Sequence, residues 1–271
     1  MLWQRTLTAL ILIPLVIWAV IALNPFYFSA FALVVFAWGA FEWSALCELT
    51  TKLEKGLFVG VFVLLCALIG WWNCKSVLLL GVVFWLLPSF WIVKYQHMPS
   101  LFDSKYIKAM MGLLVLSVAW YGLGVIKGVS NGPLWIMLLF ILVWACDSFA
   151  FFTGRQWGKT SLAPSISPKK TIEGFWGGLI GTLILAILIY IVLHATSLKS
   201  HLMPFSAWIS LAYLTVLLAV VGDLFESLLK RLAGVKDSGT LLPGHGGLLD
   251  RIDSLLPTLP MFALTLVWVA R

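Results

Sequence analysis

Nine apolar runs fill most of this chain, and they constrain its fold more than any single motif does. They are Leu7–Leu23, Phe26–Leu46, Leu57–Trp72, Val77–Val93, Ala109–Ile126, Pro133–Phe152, Gly174–Leu193, Ala207–Leu229 and Leu255–Ala270. A bilayer span needs about 20 residues of helix, and the shorter runs reach that with their flanks. No polar stretch between them is long enough for a soluble domain. Hydrophobic residues make up 62% of the 271 and charged residues only 11%, where a soluble domain carries about 25% charged. No water-soluble fold hides this much apolar surface. The runs predict an all-α, polytopic transmembrane helical bundle of about nine spans. Arg5 before the first run would also suit a signal peptide, but the apolar core of a signal is roughly 7–15 residues. This run is longer, so it predicts a first membrane helix. Pro88 predicts a kink in the fourth span.

The basic residues give an independent reading of topology. With nine spans the loops alternate sides. One side receives Arg5, Lys52, Lys55, Lys94, Lys105, Lys108, Arg155, Lys159, Lys169, Lys170, Lys230, Arg231, Lys236 and Arg251; the other receives Lys75, Lys127, Lys199 and Arg271. Cytoplasmic loops carry the Lys/Arg excess, so the N-terminus is expected in the cytoplasm and the C-terminus outside. This placement explains the net charge of +7 without nucleic acid as a partner. Cys47, Cys66, Cys74 and Cys146 lack C-x-x-C spacing and read as reduced packing residues. No repeat of roughly 20–50 residues is visible. Seven of the eleven acids lie from Asp147 onward. Residues 1–130 therefore read as scaffold spans. Residues 131–271 read as catalytic spans carrying cytoplasmic loops 153–173 and 230–253, all within one integrated membrane domain.

The polar groups concentrate between Ser227 and Asp253. This stretch holds Lys230, Arg231, Lys236, Arg251, Asp237, Asp250, Asp253 and His245, with Gly234, Gly239, Gly244, Gly246 and Gly247. Glycines let backbone N–H groups approach a ligand closely. Lysine holds phosphate as a point charge and arginine as a fork. Clustered carboxylates suit a hard cation such as Mg²⁺. The combination reads as a metal-dependent site for phosphates. Just upstream, Asp223, Glu226, Ser227 and Lys230 stand at i, i+3, i+4 and i+7, which is one helical stripe. Asp250 and Asp253 are three apart and share a face if the last helix starts early, so two helix ends would aim carboxylates at one cation.

Asp147, Asp223 and Glu226 lie in or beside apolar spans, where an ionisable residue normally faces protein or a wet cavity. Glu42, near the end of the second span, has Trp38, Gly39, Ala45 and Leu46 as helical neighbours. None reads as a polar partner, and Glu42 is assigned a structural role. His245, between Gly244 and Gly246, is open to whatever the loop binds, as phosphate ligand or proton donor. His97, His194 and His201 lie in loops without partners. The loop after Asp147 is basic enough for anionic head groups alone to explain its charge. Its Gly154–Thr160 segment is one residue short of a P-loop and follows a helix rather than a strand, so a P-loop is rejected. Ser227–Lys230 fits S-x-x-K, but the companion motifs of penicillin-binding enzymes are absent.

The stretch Ser-x-x-Lys-Arg, then Lys236-Asp237, then Pro243-Gly-His-Gly-Gly and Asp250-Arg251-x-Asp253 resembles the signature of the phosphatidate cytidylyltransferase (CDP-diacylglycerol synthase) family at every defining position. Gly222-Asp223 resembles it too, as do Gly154-Arg155, Gly158-Lys159, Ser167–Thr171 and Glu173-Gly174. The family pattern has Tyr where Phe151 stands and Trp where Ile172 stands. Those departures leave the charged groups intact. The resemblance covers the C-terminal half; the N-terminal spans agree in topology only.

What the resemblance implies is cytidylyl transfer from CTP to phosphatidate, giving CDP-diacylglycerol and pyrophosphate for phospholipid synthesis in a bacterial inner membrane. It implies a catalytic centre of Asp223, Asp250, Lys236, Asp237, His245 and Arg251. Substrate contacts would come from Lys230, Arg231, Ser227, Gly244, Gly246, Gly247, Lys169, Lys170, Arg155 and Lys159. Mg²⁺ would sit on Asp223 and Asp250, with Asp147, Asp237 and Asp253 as further candidate ligands and K⁺ as a candidate second cation. Membrane lipids and a second copy of the chain are the expected partners. Three alternatives stay open: a CTP-dependent polyprenol or lipid kinase, a transporter of anionic substrates, and a protein that only docks on lipid.

Overall fold

The structure is a computed structural model that describes residues 2–93, 102, 104–196, 203–241, 244 and 246–269. Its order is α1 (Leu2–Ala22), α2 (Pro25–Leu46), α3 (Lys52–Trp72), α4 (Ser76–Phe84), α5 (Leu86–Val93), α6 (Lys105–Gly128), α7 (Gly132–Trp157), β1 (Ser161–Ala163), β2 (Ser167–Thr171), α8 (Ile172–His194), α9 (Phe205–Leu232), α10 (Leu249–Ile252) and α11 (Leu255–Val269). Among the described residues seven helices are long and apolar enough to cross a membrane. The two remaining expected spans coincide with shorter apolar stretches, Thr8–Ala22 and Ser76–Ile92. A polytopic helical bundle is therefore what the chain forms.

Local chemistry sets the helix ends. Asn24 accepts the Tyr27 N–H with Pro25 at the first helical position, so α2 starts there. Thr51 and Glu54 form a reciprocal capping box at the start of α3. Asn73, left-handed at φ 47°, stops that helix. The fourth span breaks at Trp85, three residues before the expected kink at Pro88. Pro88 has no N–H and its ring clashes with the carbonyl four residues back, at Phe84. The interruption thus falls upstream of the proline itself.

α6 and α11 form the centre. In the spans Lys105–Gly128 and Leu249–Val269, 56% and 61% of the apolar stretch is buried, against 17% for α3, which faces outward. In lipid the hydrophobic effect does not drive helices together, so close packing at small residues must. Gly222 on α9 shows this. A Cβ there would collide with the Asp253 carbonyl and come within 2.8 Å of Pro257 Cδ. Behind α9, Phe225 meets Trp85, Trp43 and Phe84 at ring-centroid distances of 5.6, 6.3 and 6.5 Å. That aromatic cluster holds the polar half of α9 in place. The cysteines are free. Cys47, just beyond α2, is buried, and burial pushes its thiol up to about 12, so it is a packing residue and not a thiolate.

Within this all-α bundle, segment 153–173 carries a short structure of its own. α7 continues to Trp157, and β1 and β2 then pair as an antiparallel hairpin, Ser161 opposite Thr171 and Ala163 opposite Ser167. The hairpin is closed by its own turn and tethered at two points. Ile166 N–H bonds the Ala163 carbonyl at 3.1 Å across the turn. Arg231 Nε donates to the Ile166 carbonyl at 3.1 Å. Glu173 accepts the Lys159 and Thr160 amides at 3.1 and 3.2 Å. It therefore leans on the end of α9 and carries Lys170 to that helix.

Candidate active site

The site is built where the last turns of α9 meet the hairpin and the glycine-rich loop before α10. The stripe on α9 forms as its spacing predicts. The Ser227 hydroxyl donates to Asp223 Oδ1 at 3.4 Å and Lys230 Nζ to Glu226 Oε2 at 2.6 Å, both at i, i+4. Lys230 Nζ also donates to Asp250 Oδ1 at 2.6 Å. One ammonium therefore ties α9 to α10. Its side chain is 12% exposed, and those of Glu226 and Asp250 are 1% and 8% exposed. So close to burial, the pair is little screened by solvent, and each group depends on its partner.

Asp223 has a different cation. Lys170, brought by β2, pairs directly with Asp223 Oδ2. The sequence treats Lys170 as one of several basic loop residues. The hairpin makes it the ion partner of a membrane-helix acid 53 residues away.

Asp250 organises the loop. Its Oδ2 accepts the amides of Gly247 at 2.9 Å and Ser238 at 3.1 Å. These two residues flank the glycine-rich segment, so a single carboxylate closes it. Gly246, at φ +83°, lies so near that a Cβ would stand 2.9 Å from Asp250 Oδ2. Only glycine suits both that conformation and that approach. Gly244 is also left-handed, at φ 77°.

Further acids gather around this pair. Asp253, at the end of α10, is buried, and its Oδ1 accepts the Ser254 amide at 2.7 Å. It lies within electrostatic reach of Asp223, Lys170 and Lys230. Asp147 on α7 is within reach of Asp223, Lys170 and Arg251. Lys236, Asp237, Arg251 and Arg231 are exposed around the rim. Arg155, Lys159 and Lys169 are exposed on the hairpin side and are not drawn into the ion pairs described above. His245 lies outside the described residues.

Asp223 and Asp250 each face their own lysine, Lys170 and Lys230. Among the described residues no group of three or more His, Cys, Asp or Glu side chains is arranged to hold a metal. One atom does stand out: Glu226 Oε1 is buried with no hydrogen-bond partner. A buried carboxyl oxygen left unpaired beside Lys230 is a position that a bound cation or a proton would satisfy.

Glu42 corrects the reading from sequence. It does have a polar helical neighbour, since the Trp38 indole donates to its Oε1 at 3.2 Å. Its other partners come from the far end of the chain. Oε1 accepts the Leu248 amide at 3.0 Å, and Oε2 accepts the Leu249 amide at 2.7 Å and the Ser238 hydroxyl at 3.3 Å. The signal was present in the sequence as a lone acid inside an apolar span.

Fold and site together define a polytopic helical membrane protein with lysines, carboxylates and glycine-rich backbone gathered at one end of its spans. The model of the cytidylyltransferase family matches residues 3–269, and the chain belongs to that family. It is 38% identical to the phosphatidate cytidylyltransferase of Pseudomonas aeruginosa over 274 residues, covering 100% of this chain and 98% of the relative. The Haemophilus influenzae phosphatidate cytidylyltransferase is 36% identical over 290 residues, at 97% and 98% coverage. That of Thermotoga maritima is 43% identical over 125 residues, 46% of each chain.

Proposed function

We propose that this chain transfers the cytidylyl group of CTP to phosphatidate, giving CDP-diacylglycerol and pyrophosphate. The full-length family match carries the reading, and the Asp250-closed loop beside Lys230 supplies its chemistry. The nucleophile is a phosphatidate oxygen, already anionic near neutral pH. It attacks the α-phosphorus of CTP in line, and the bond to the pyrophosphate oxygen breaks. A general base has little to do here. The demand is to bring two anions together and to stabilise the leaving charge, which fixed cations supply, while the loop amides bind the triphosphate.

Lys170, Lys230, Arg231, Lys236 and Arg251 are the cations for this work. Asp250 closes the loop through the amides of Ser238 and Gly247, leaving other loop amides for the triphosphate, and by resemblance His245 would contact phosphate. Mg²⁺ fits the acids at the site, because Mg²⁺ is normally held by one or two carboxylates plus substrate phosphates and needs no all-protein cage. Asp223 would hold it, with Asp147 and Asp253 beside it. Asp250 would contribute only if Lys230 released Oδ1, and Asp237 stands further out on the rim. K⁺ is the candidate second cation, with the unpaired Glu226 Oε1 as a place for it. When bound, Mg²⁺ neutralises charge on the triphosphate and on the departing pyrophosphate.

In this reading the chain has nine spans, an inside N-terminus and a cytoplasmic site in a bacterial inner membrane. The distribution of Lys and Arg supports it. A cysteine placed at Lys236 tests it. The residue is exposed, and the exposed Cys74 is first changed to Ser. Labelling of Lys236→Cys with an impermeant maleimide should require permeabilised cells. Labelling in intact cells would overturn the topology.

Arg251→Lys separates phosphate binding from attraction to the membrane surface. A guanidinium fork on CTP phosphate loses its bidentate geometry in lysine. We expect kcat/KM for CTP to fall about thirtyfold, the equivalent of ~2 kcal/mol. Lys169→Arg is the control and should match the parent, since surface attraction depends on charge alone. Kinetics of Arg251→Lys equal to the parent would exclude the fork. The activity itself is tested with purified protein, CTP, phosphatidate and Mg²⁺. CDP-diacylglycerol should form, and no turnover across varied lipids and divalent metals would reject the reading.

A further inference from the structure

Glu42 sits on α2, in the half of the chain that carries none of the signature residues, yet the residue is buried, 4% exposed, and its carboxylate accepts four hydrogen bonds. Three of the four donors lie 196 to 207 residues away. All four donors are neutral: an indole, a hydroxyl and two backbone amides. A carboxylate is costly to bury without a cation or a metal, so this one is held by the shape of what surrounds it.

That surrounding is the glycine-rich loop. Glu42 and Asp250 grip the same strip of backbone from opposite sides. Ser238 gives its hydroxyl to Glu42 and its amide to Asp250. At the other end Gly247 gives its amide to Asp250, and Leu248 and Leu249 give theirs to Glu42. Two glycines make room for this. A Cβ on Gly239 would lie 2.5 Å from Glu42 Oε1, and one on Gly247 would lie 2.7 Å from Glu42 Oε2. The two glycines whose φ is ordinary are thus needed for close approach to Glu42, whereas Gly244 and Gly246 are needed for their left-handed backbone.

We infer that Glu42 is a positioning residue that fixes both ends of the glycine-rich loop against Asp250, and so sets affinity for the nucleotide triphosphate without touching it. The second helix is then part of the site's machinery. The inference rests on the loop being the CTP site, so its test includes a readout that needs no substrate.

Purified full-length parent, Glu42→Gln and Ser238→Ala are compared. Glutamine keeps the volume but turns one acceptor into a donor that faces backbone N–H groups. Hydrogen exchange without ligand should rise about tenfold or more in peptides spanning 238–249 and stay unchanged in α7. With CTP, KM should rise about tenfold while kcat changes less than about threefold, because loop amides bind ground state and transition state alike. Ser238→Ala removes one of the four bonds and should shift both readouts the same way by about threefold. Unchanged loop exchange in folded Glu42→Gln protein overturns the inference. So does a fall in kcat alone that tracks the folded fraction, which marks a merely structural role. If Glu42→Gln does not fold, parental exchange and KM in Ser238→Ala overturn it instead. A parent that binds no CTP would reject the nucleotide reading, and the exchange data would still decide whether Glu42 holds the loop.

Discussion

Asp250→Asn is expected to lower kcat/KM for CTP by roughly a thousandfold, about 4 kcal/mol, in protein that still inserts and folds. Asp250 accepts from the Lys230 ammonium and from the amides of Ser238 and Gly247. All three donors need an acceptor. Asparagine keeps the volume, removes the charge and turns one oxygen into an NH₂. Set against Lys230, that group faces an ammonium; turned round, it faces two N–H groups. Either way donors meet donors, and hydrogen bonds to a charged group are worth about 1.5–3 kcal/mol each. The loop opens and Lys230 loses half its counter-charge. Steady-state kinetics with a size-exclusion profile in detergent check this. Near-parental kinetics at ordinary Mg²⁺ would mean that neither the loop nor a metal depends on Asp250.

Lys230→Met is expected to act on stability first. Glu226 and Asp250 would keep their carboxylates and lose the cation between them. Breaking a buried pair by removing one partner costs about 3–5 kcal/mol, because the remaining charge stays buried. The Glu226 end is the worse off, since its Oε1 already lacks a partner. Thermal unfolding in detergent should therefore shift down by several degrees. Adding Glu226→Gln should restore part of the loss by removing one stranded charge. A Tm equal to the parent's in Lys230→Met would show that the pair is solvated and contributes little.

The spans were legible because a bilayer demands long uninterrupted apolar helices, and nothing else in the chain competes with that signal. Their ends were less so. α7 runs five residues past the apolar run that predicted it, because helix continues through the polar Thr153–Trp157 turn. The β1–β2 hairpin was invisible: its strands have three and five residues, too short for alternation to register. That hidden element is what makes Lys170 the partner of Asp223. The α9 stripe was legible from spacing alone, since i, i+4 neighbours need no tertiary information. Glu42 was misread for the opposite reason. Two of its donors are main-chain amides, and sequence carries no mark of where a backbone N–H will point. Asp250 was legible as a carboxylate of the polar stretch, but its work on two backbone amides was as hidden as that of Glu42.

The central claim is transfer of a cytidylyl group, and the fate of each CTP phosphate tests it most directly. Purified protein is given phosphatidate, Mg²⁺ and CTP labelled at the α- or the γ-phosphorus, and the lipid phase is separated and counted. The account predicts that the α-label enters the lipid as CDP-diacylglycerol while the γ-label leaves with pyrophosphate. A γ-label in the lipid, with CDP released, would make the chain a kinase and contradict the account.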